Sequence, residues 1–381
     1  MFPTRSLLAI ALSAVSVCGF AKGKQQGLLT LFVGTYTEDS PSEGIYVYSF
    51  NQETGAFSLR SSAKAANPSF VAIAPNGRQL YAVSEFNDGR QGAYSFDFNP
   101  ETAQLSNPTF ASTKAGHSPN LPENRPGSDP CNLYTEGNCL VTANYSGGDI
   151  SSFRLDKQGH LYEAPQQICF TGRDSATLAH IHCGIPTPDG KHFLATDLGN
   201  DRIYRFDFNP QGDEILTHAV IAYEAKRGEG PRHMVFDNEG KHLYLINELG
   251  GTCTVLSYND GNLTELQTLM ADEGGGHGSA DIHISPDGRF LYTSHRLKKD
   301  GIAIFEINEQ TGLLTKVGYQ LTGIHPRNFT ITPNGKFVLV ACRDDNMIQI
   351  YRRNARTGLL SDTGKRINVG KPVCLVLRNY Q

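Results

Sequence analysis

The sequence has no excess of positive charge, no second long apolar run, no cluster of cysteines and almost no helical spacing, and each absence excludes something. A formal net charge of −4 over 381 residues gives no global basic field for nucleic acid or an anionic membrane. Beyond the N-terminus no apolar segment is long enough to cross a bilayer. Past the leader described below, the cysteines stand at 131, 139, 169, 183, 253, 342 and 374. An odd set without metal-ligand spacing argues against a disulfide framework or a zinc site. Cys131 and Cys139 flank an expected turn over 135–138 and are the pair that a hairpin could bridge. Buried free thiols are the plainer expectation.

What is present begins with an export leader over residues 1–21. Arg5 supplies the positive start, Leu7 to Val17 the apolar core, and Gly19-Phe20-Ala21 a small-x-small cleavage site. Cys18 offers lipidation as a second reading. Val17 is larger than the residue usual before a lipidated cysteine, so simple secretion to the periplasm or beyond is favoured. The remainder, 28–381, shows no domain boundary, and the Pro- and Asn-rich stretch over 114–129 is read as an insertion.

The organising feature is a repeat. A turn signal follows an alternating strand at Asn51-Gln-Glu-Thr-Gly55, Pro100-Glu-Thr-Ala103, Asp156-Lys-Gln-Gly159 and Asn209-Pro-Gln-Gly212. It returns at Asn259-Asp-Gly261, Asn308-Glu-Gln-Thr-Gly312 and Asn354-Ala-Arg-Thr-Gly358. The spacing runs from 46 residues (Asn308 to Asn354) to 56 (Pro100 to Asp156). Between these hairpins lies a second one, as in Asn67 to Glu85, Gly230 to Glu248, Ala280 to Arg296 and His325 to Arg343. Four short strands, A to D, at this period predict an all-β, seven-bladed propeller. The ring is expected to close with a C-terminal strand A, from Lys371 to Leu377, beside N-terminal strands B to D.

Strand A lines the channel of such a ring, and A and B are antiparallel, so A starts and B ends share one rim. That rim collects His180, His182, Arg232, His233, Asp281, His283, His325, Arg327 and Asn328 from the strand A side. From strand B it takes Glu85, Asn144, Asp197, Asn247, Glu248, His295, Arg296 and Arg343. The opposite A–B turns are ordinary turn formers, such as Asn76-Gly77 and Asp287-Gly288. Turn chemistry does not ask for Arg and His at strand starts. Polar groups in a narrow channel are costly unless solvated or paired. One way to pair them is purely structural, for instance Arg232 with Glu248.

Several segments, in order and at blade spacing, resemble a known family: Ala143-Asn-Tyr-Ser-Gly-Gly148, Asp197-Leu-Gly-Asn-Asp201, Gly230-Pro-Arg-His233 with Asn247-Glu-Leu249, Ser285 to Tyr292, and His325-Pro-Arg-Asn-Phe329. They are similar to the propeller-type bacterial 6-phosphogluconolactonases and the related fungal carboxy-cis,cis-muconate cyclases, over nearly all of the mature chain. The resemblance implies active residues at His182, Arg232, Glu248 and Arg327, and hydrolysis of a sugar lactone such as 6-phosphogluconolactone. The chain departs from the family at His295 and Cys342, where Asn is usual, and over 172–178.

Hydrolysis of a lactone needs a base and a group to hold the oxyanion. Glu248 and His182 are the two candidate bases, and Arg232 and Arg327 the candidate anion holders. Asn144, Asp197, His233, Asn247, His283, Arg296 and Asn328 are expected to bind substrate. The expected partner is a small-molecule lactone, with no cofactor and no metal, since a rim rich in Arg and His repels a cation such as calcium. Two rival functions are a lactone-forming cycloisomerase and a non-catalytic propeller that binds sugar or protein.

Overall fold

The computed structural model describes residues 27–115, 126–162 and 165–380. The expected leader, with Cys18, lies outside these residues, as does the middle of the insertion. The described strands form seven four-stranded antiparallel sheets. In the first blade, strand A is Pro372–Arg378, followed outward by Leu28–Thr35, Gly44–Asn51 and Ala56–Lys64. The first and last of the described strands therefore share one sheet, as the repeat requires. The remaining A strands are Val71–Ile73, Pro130–Glu136, Ile181–Pro186, Pro231–Phe236, Ser279–Ile284 and Pro326–Ile331. Their B neighbours are Gln79–Ser84, Cys139–Asn144, His192–Asp197, His242–Asn247, Phe290–His295 and Phe337–Cys342.

The core is seven wedges between blades rather than one centre. Phe32, Ile45 and Val47 of blade one pack on Val71, Leu80 and Phe96 of blade two. On its other side Leu31, Val33 and Phe50 pack on Phe337, Leu339 and Ile348 of blade seven. Both faces of strand B are buried in this way, which is why its sequence reads as a continuous apolar run. Strand D alternates and is mostly exposed, as in Ala56–Lys64.

The repeated turn between strands C and D now has a physical reason. Tyr244 and Tyr292, on B strands, donate from their hydroxyls to the carbonyls of Gly312 and Gly358 in the next blade, at 2.9 and 2.7 Å. Gly358 sits at φ +72°, and a Cβ there would meet the Phe290 ring at 2.4 Å. The turn thus latches neighbouring blades as well as reversing the chain.

Ring closure gives a first expected outcome. A chain ending at Gly370 loses Val373, Cys374 and Leu375, all buried, and leaves the edge of Leu28–Thr35 unpaired. Burial alone is worth about 1.5–3 kcal/mol per large apolar side chain. With the lost ladder, that is comparable to the whole net stability of a domain, about 5–15 kcal/mol. The truncated chain should be insoluble or lack a cooperative transition in thermal circular dichroism. A soluble, cooperatively melting product would show the ring does not depend on this closure.

Candidate active site

The rim where strand A begins is shaped by an irregularity repeated around the ring. In six blades the A–B register slips by one residue there. Pro231 faces Asn247 while His233 faces Ile246, so Arg232 is the extra residue. The same slip singles out His182 between Ile181 and Cys183, Arg327 between Pro326 and Asn328, and Cys131 between Pro130 and Asn132. A bulge leaves its extra residue outside the ladder and re-aims it. Here it delivers His182, Arg232 and Arg327 from three blades into one mouth.

From strand B the contributing position is the residue just past the last ladder pair. Tyr36, Glu85, Tyr145, Glu248 and Arg296 all occupy it. Glu248 is gripped from two sides: Arg232 donates from Nε to its Oε2 at 2.7 Å, and Arg296 from Nη2 to its Oε1 at 3.0 Å. Arg232 is 1% exposed and also donates to the Ala280 carbonyl. Arg296 is held further by the Gly278 carbonyl at 2.7 Å and by His325 at 3.2 Å. Burial works against charge on Glu248, but Arg232, Arg296 and Arg327 outweigh it and hold the carboxyl below its ordinary range. The Arg232–Glu248 ion pair weighed from sequence is therefore present, and it belongs to a larger clamp.

Arg327 is placed differently. Its guanidinium lies over the Tyr36 ring, 5.6 Å from the centroid, and approaches Glu85 at 3.9 Å. It makes no hydrogen bond to a described residue, so its donors are unspent. His182 is likewise unengaged: its Nδ1 is buried without a partner. Its ring packs edge-on near Tyr145 (5.7 Å) and His233 (5.2 Å). Burial, then Arg232, His233 and Arg327, hold the imidazole neutral well below the usual histidine range.

Beneath the mouth a hydrogen-bonded belt joins A strands of adjacent blades. His233 Nδ1 meets Asp281 Oδ1 at 2.8 Å, His283 Nε2 meets Asp281 Oδ2 at 2.9 Å, and Asn328 Nδ2 donates to Asp281 at 2.5 Å. Asn328 Oδ1 then accepts from the Leu375 amide at 2.7 Å. Burial raises the Asp281 carboxyl, but His283 and His233 more than reverse that and keep it ionised. Replacing Asp281 with Ala strands three side chains at once. Breaking a buried charged network of this kind should cost about 3–5 kcal/mol, read as a lower urea midpoint. Since the carboxyl is depressed, its contribution is present above an ordinary Asp value of about 4 and lost as pH falls below it. A loss of unfolding free energy under about 1 kcal/mol at neutral pH would remove the belt from the stability account.

Three expected binding residues are turned inward. Asn144 donates to Asp149 Oδ1 at 2.5 Å and Ser151 Oγ at 2.8 Å. Asp197 accepts from the His180 and Asn200 amides. Asn247 donates to the hydroxyls of Thr252 and Thr254. Asn144 and Asn247 tie strand B to strand C of their own blades, Asp197 ties it to the flanking loops, and each is fully buried. His295 likewise sits between Ser279 and Thr293 hydroxyls. All seven described cysteines are free thiols. Cys131 and Cys139 lie at opposite ends of their hairpin, so the considered bridge is not formed. Sequence reasoning missed Tyr36 and Tyr145. Aligning the repeats on Glu248 was the signal that could have found them.

A cleft of about 700 Å³ on the opposite rim is lined by Asn238, Gly288, Gly312 and their neighbours. Those are the turn formers of that rim, and among the described residues no unpaired buried group lines it. Among the described residues no helix is long and apolar enough to cross a membrane, and no three His, Cys, Asp or Glu side chains cluster as metal ligands.

The seven-bladed β-propeller lactonase family model matches residues 30–377. A 6-phosphogluconolactonase of Formosa agariphila is 34% identical over 365 residues, covering 92% of this chain and 99% of that one. A solved protein of Bacteroides fragilis, named as a candidate 6-phosphogluconolactonase, superposes with a TM-score of 0.87 at 45% identity, covering 94% of this chain and all (100%) of that one. The periplasmic gluconolactonase of Pseudomonas aeruginosa does so with a TM-score of 0.84 at 28% identity, covering 93% and 100%. With this fold, this mouth and these relatives, the chain belongs to the lactonase family of seven-bladed β-propellers, enzymes that open cyclic esters.

Proposed function

We propose that this chain hydrolyses the ring ester of a sugar lactone, 6-phosphogluconolactone or a related aldonolactone, to the free acid, with His182 as the general base. The observation that carries the assignment of the base is the contrast between the two candidates. Glu248 is gripped by two guanidinium groups, whereas His182 is neutral and has an unengaged ring nitrogen. Both carboxylate oxygens of Glu248 already accept arginine donors, which leaves them poorly placed to meet a water.

In this reading His182 takes a proton from water as the oxygen attacks the lactone carbonyl. The charge that develops on the carbonyl oxygen meets Arg327, whose donors are unspent, and Arg232, fixed in place by Glu248. His182 then returns the proton to the departing ring oxygen. One water is consumed, and one carboxylic acid and one hydroxyl are formed. The names of the relatives support a sugar lactone as the substrate.

The test is acid release followed by pH-stat on 6-phosphogluconolactone, D-gluconolactone and δ-valerolactone, with a known lactonase alongside. Turnover well above the spontaneous rate supports the reading. No release from any lactone, with an active control, overturns it and leaves the binding-module reading.

A further inference from the structure

The mouth has a second carboxylate that the mechanism leaves unused. Glu85 occupies the same repeat position as Glu248 but lies across the channel, and its surroundings are of the opposite kind. Where Glu248 is closed off by guanidinium donors, Glu85 accepts from two hydroxyls: Tyr36 donates to Oε1 at 2.9 Å and Ser69 to Oε2. An ionised carboxylate has about four lone-pair sites, so two of these are still free. The nearest cation, Arg327, stands at 3.9 Å, beyond hydrogen-bond reach. The Glu85 and Arg327 side chains are each 16% exposed and only 3.9 Å apart, so they reach solvent side by side. Tyr36 spends its proton on Glu85, so its oxygen presents lone pairs as well, while Ser69, buried at 3% exposure, only orients the carboxylate. This side of the mouth therefore offers acceptors beside a single donor group. The Glu248 side offers guanidinium donors.

We propose that Glu85, oriented by Tyr36 and Ser69, is a specificity-determining residue that accepts hydrogen bonds from the ring hydroxyls of a polyhydroxylated lactone whose carbonyl faces Arg327 and His182. Acceptor oxygens recognise groups that donate, and on a sugar lactone only the hydroxyls do so. The same carboxylate disfavours a second negative charge in its subsite, so the acceptor wall suits the hydroxylated part of the ring. The inference rests on the lactonase reading for its chemistry and extends it to the substrate's hydroxyl face.

The experiment compares Glu85→Gln with the unaltered chain on D-gluconolactone and on δ-valerolactone, which has the same ring ester and no hydroxyls. A hydrogen bond to a charged group is worth about tenfold or more in binding. The expected result is a rise in KM for D-gluconolactone of about tenfold, with kcat/KM falling at least several-fold more on D-gluconolactone than on δ-valerolactone. Tyr36→Phe, which keeps the ring over which Arg327 lies, should move KM in the same direction by less. An equal loss on both lactones, or no change on either, overturns the proposal. Calorimetric titration with D-gluconolactam, which has a ring amide in place of the ester, reads the subsite without turnover. If the unaltered chain hydrolyses no lactone, the lactonase reading fails. The subsite then stands if lactam affinity still drops in Glu85→Gln, and falls if it does not.

Discussion

His182→Gln lowers kcat by about 100- to 10,000-fold, the range that a positioned proton acceptor supplies, while the protein still folds. The second half of that expectation follows from the contacts: His182 makes no side-chain hydrogen bond to a described residue, so its loss breaks no network. A change in unfolding free energy of no more than about 2 kcal/mol is expected for a buried substitution of this kind. The pH profile carries the sharper information. A base must be neutral to act, and burial with the nearby Arg232 and His233 holds His182 neutral well below the ordinary histidine value of about 6.5. Activity should therefore persist as pH falls through 6.5, failing only in clearly acidic buffer, where spontaneous lactone opening is also slow. In His182→Gln that acid limb should vanish from the residual rate. Near-normal turnover in the variant would sink the assignment, as would an unaltered enzyme that loses activity with a midpoint at or above about 6.5.

The sequence carried the ring and the rim, and it stopped short at the level of single residues. Turns must contain Asn, Asp or Gly for backbone reasons, so the repeat of Asn308 to Gly312 and Asn354 to Gly358 shows the blade period openly. Antiparallel geometry then places A starts beside B ends, and His182, Arg232, Glu248, Arg296 and Arg327 follow without coordinates. Side-chain direction did not follow. Strand alternation has a period of two, so an offset of one residue exchanges faces. The bulges at Cys131, His182, Arg232 and Arg327 introduce that offset where the site is built. Strand B has no such bulge, and there the uncertainty was where the strand stops: Asn144 and Asn247 still pair in the ladder, while Tyr145 and Glu248, one residue on, stand at the mouth. His233, His283 and Asn328 were likewise expected to bind substrate. Their union on Asp281 depends on the distance between neighbouring blades, which no local pattern encodes. The choice of base was open for a related reason: a carboxylate and an imidazole look equally able until the partners of each are known.

Glu248→Gln should be the most damaging single change, because it acts on stability and on the site together. It leaves Arg232 and Arg296, 1% and 4% exposed, without their shared counter-ion. Uncompensated buried charge costs about 3–5 kcal/mol, a large part of the roughly 5–15 kcal/mol that a domain has. Both arginines depend on one carboxylate, so the two losses do not add independently. Replacing Arg296 with Met in the same chain should recover part of the deficit, because it removes one stranded charge. The carboxyl is held below its ordinary range, so its stabilisation is present above about pH 4.3 and is lost as pH falls further. The difference in urea midpoint between the two proteins should narrow accordingly in acid. Activity should fall at least about 100-fold, because Arg232 is no longer fixed beside the reacting carbonyl. Kinetics then separate the two possible roles of Glu248. If it only holds the arginines, the residual rate keeps the acid limb set by His182. If it were the base, that limb would disappear with Glu248 and persist in His182→Gln. A variant of Glu248 with unchanged stability and no limb would exchange the roles given to these two residues.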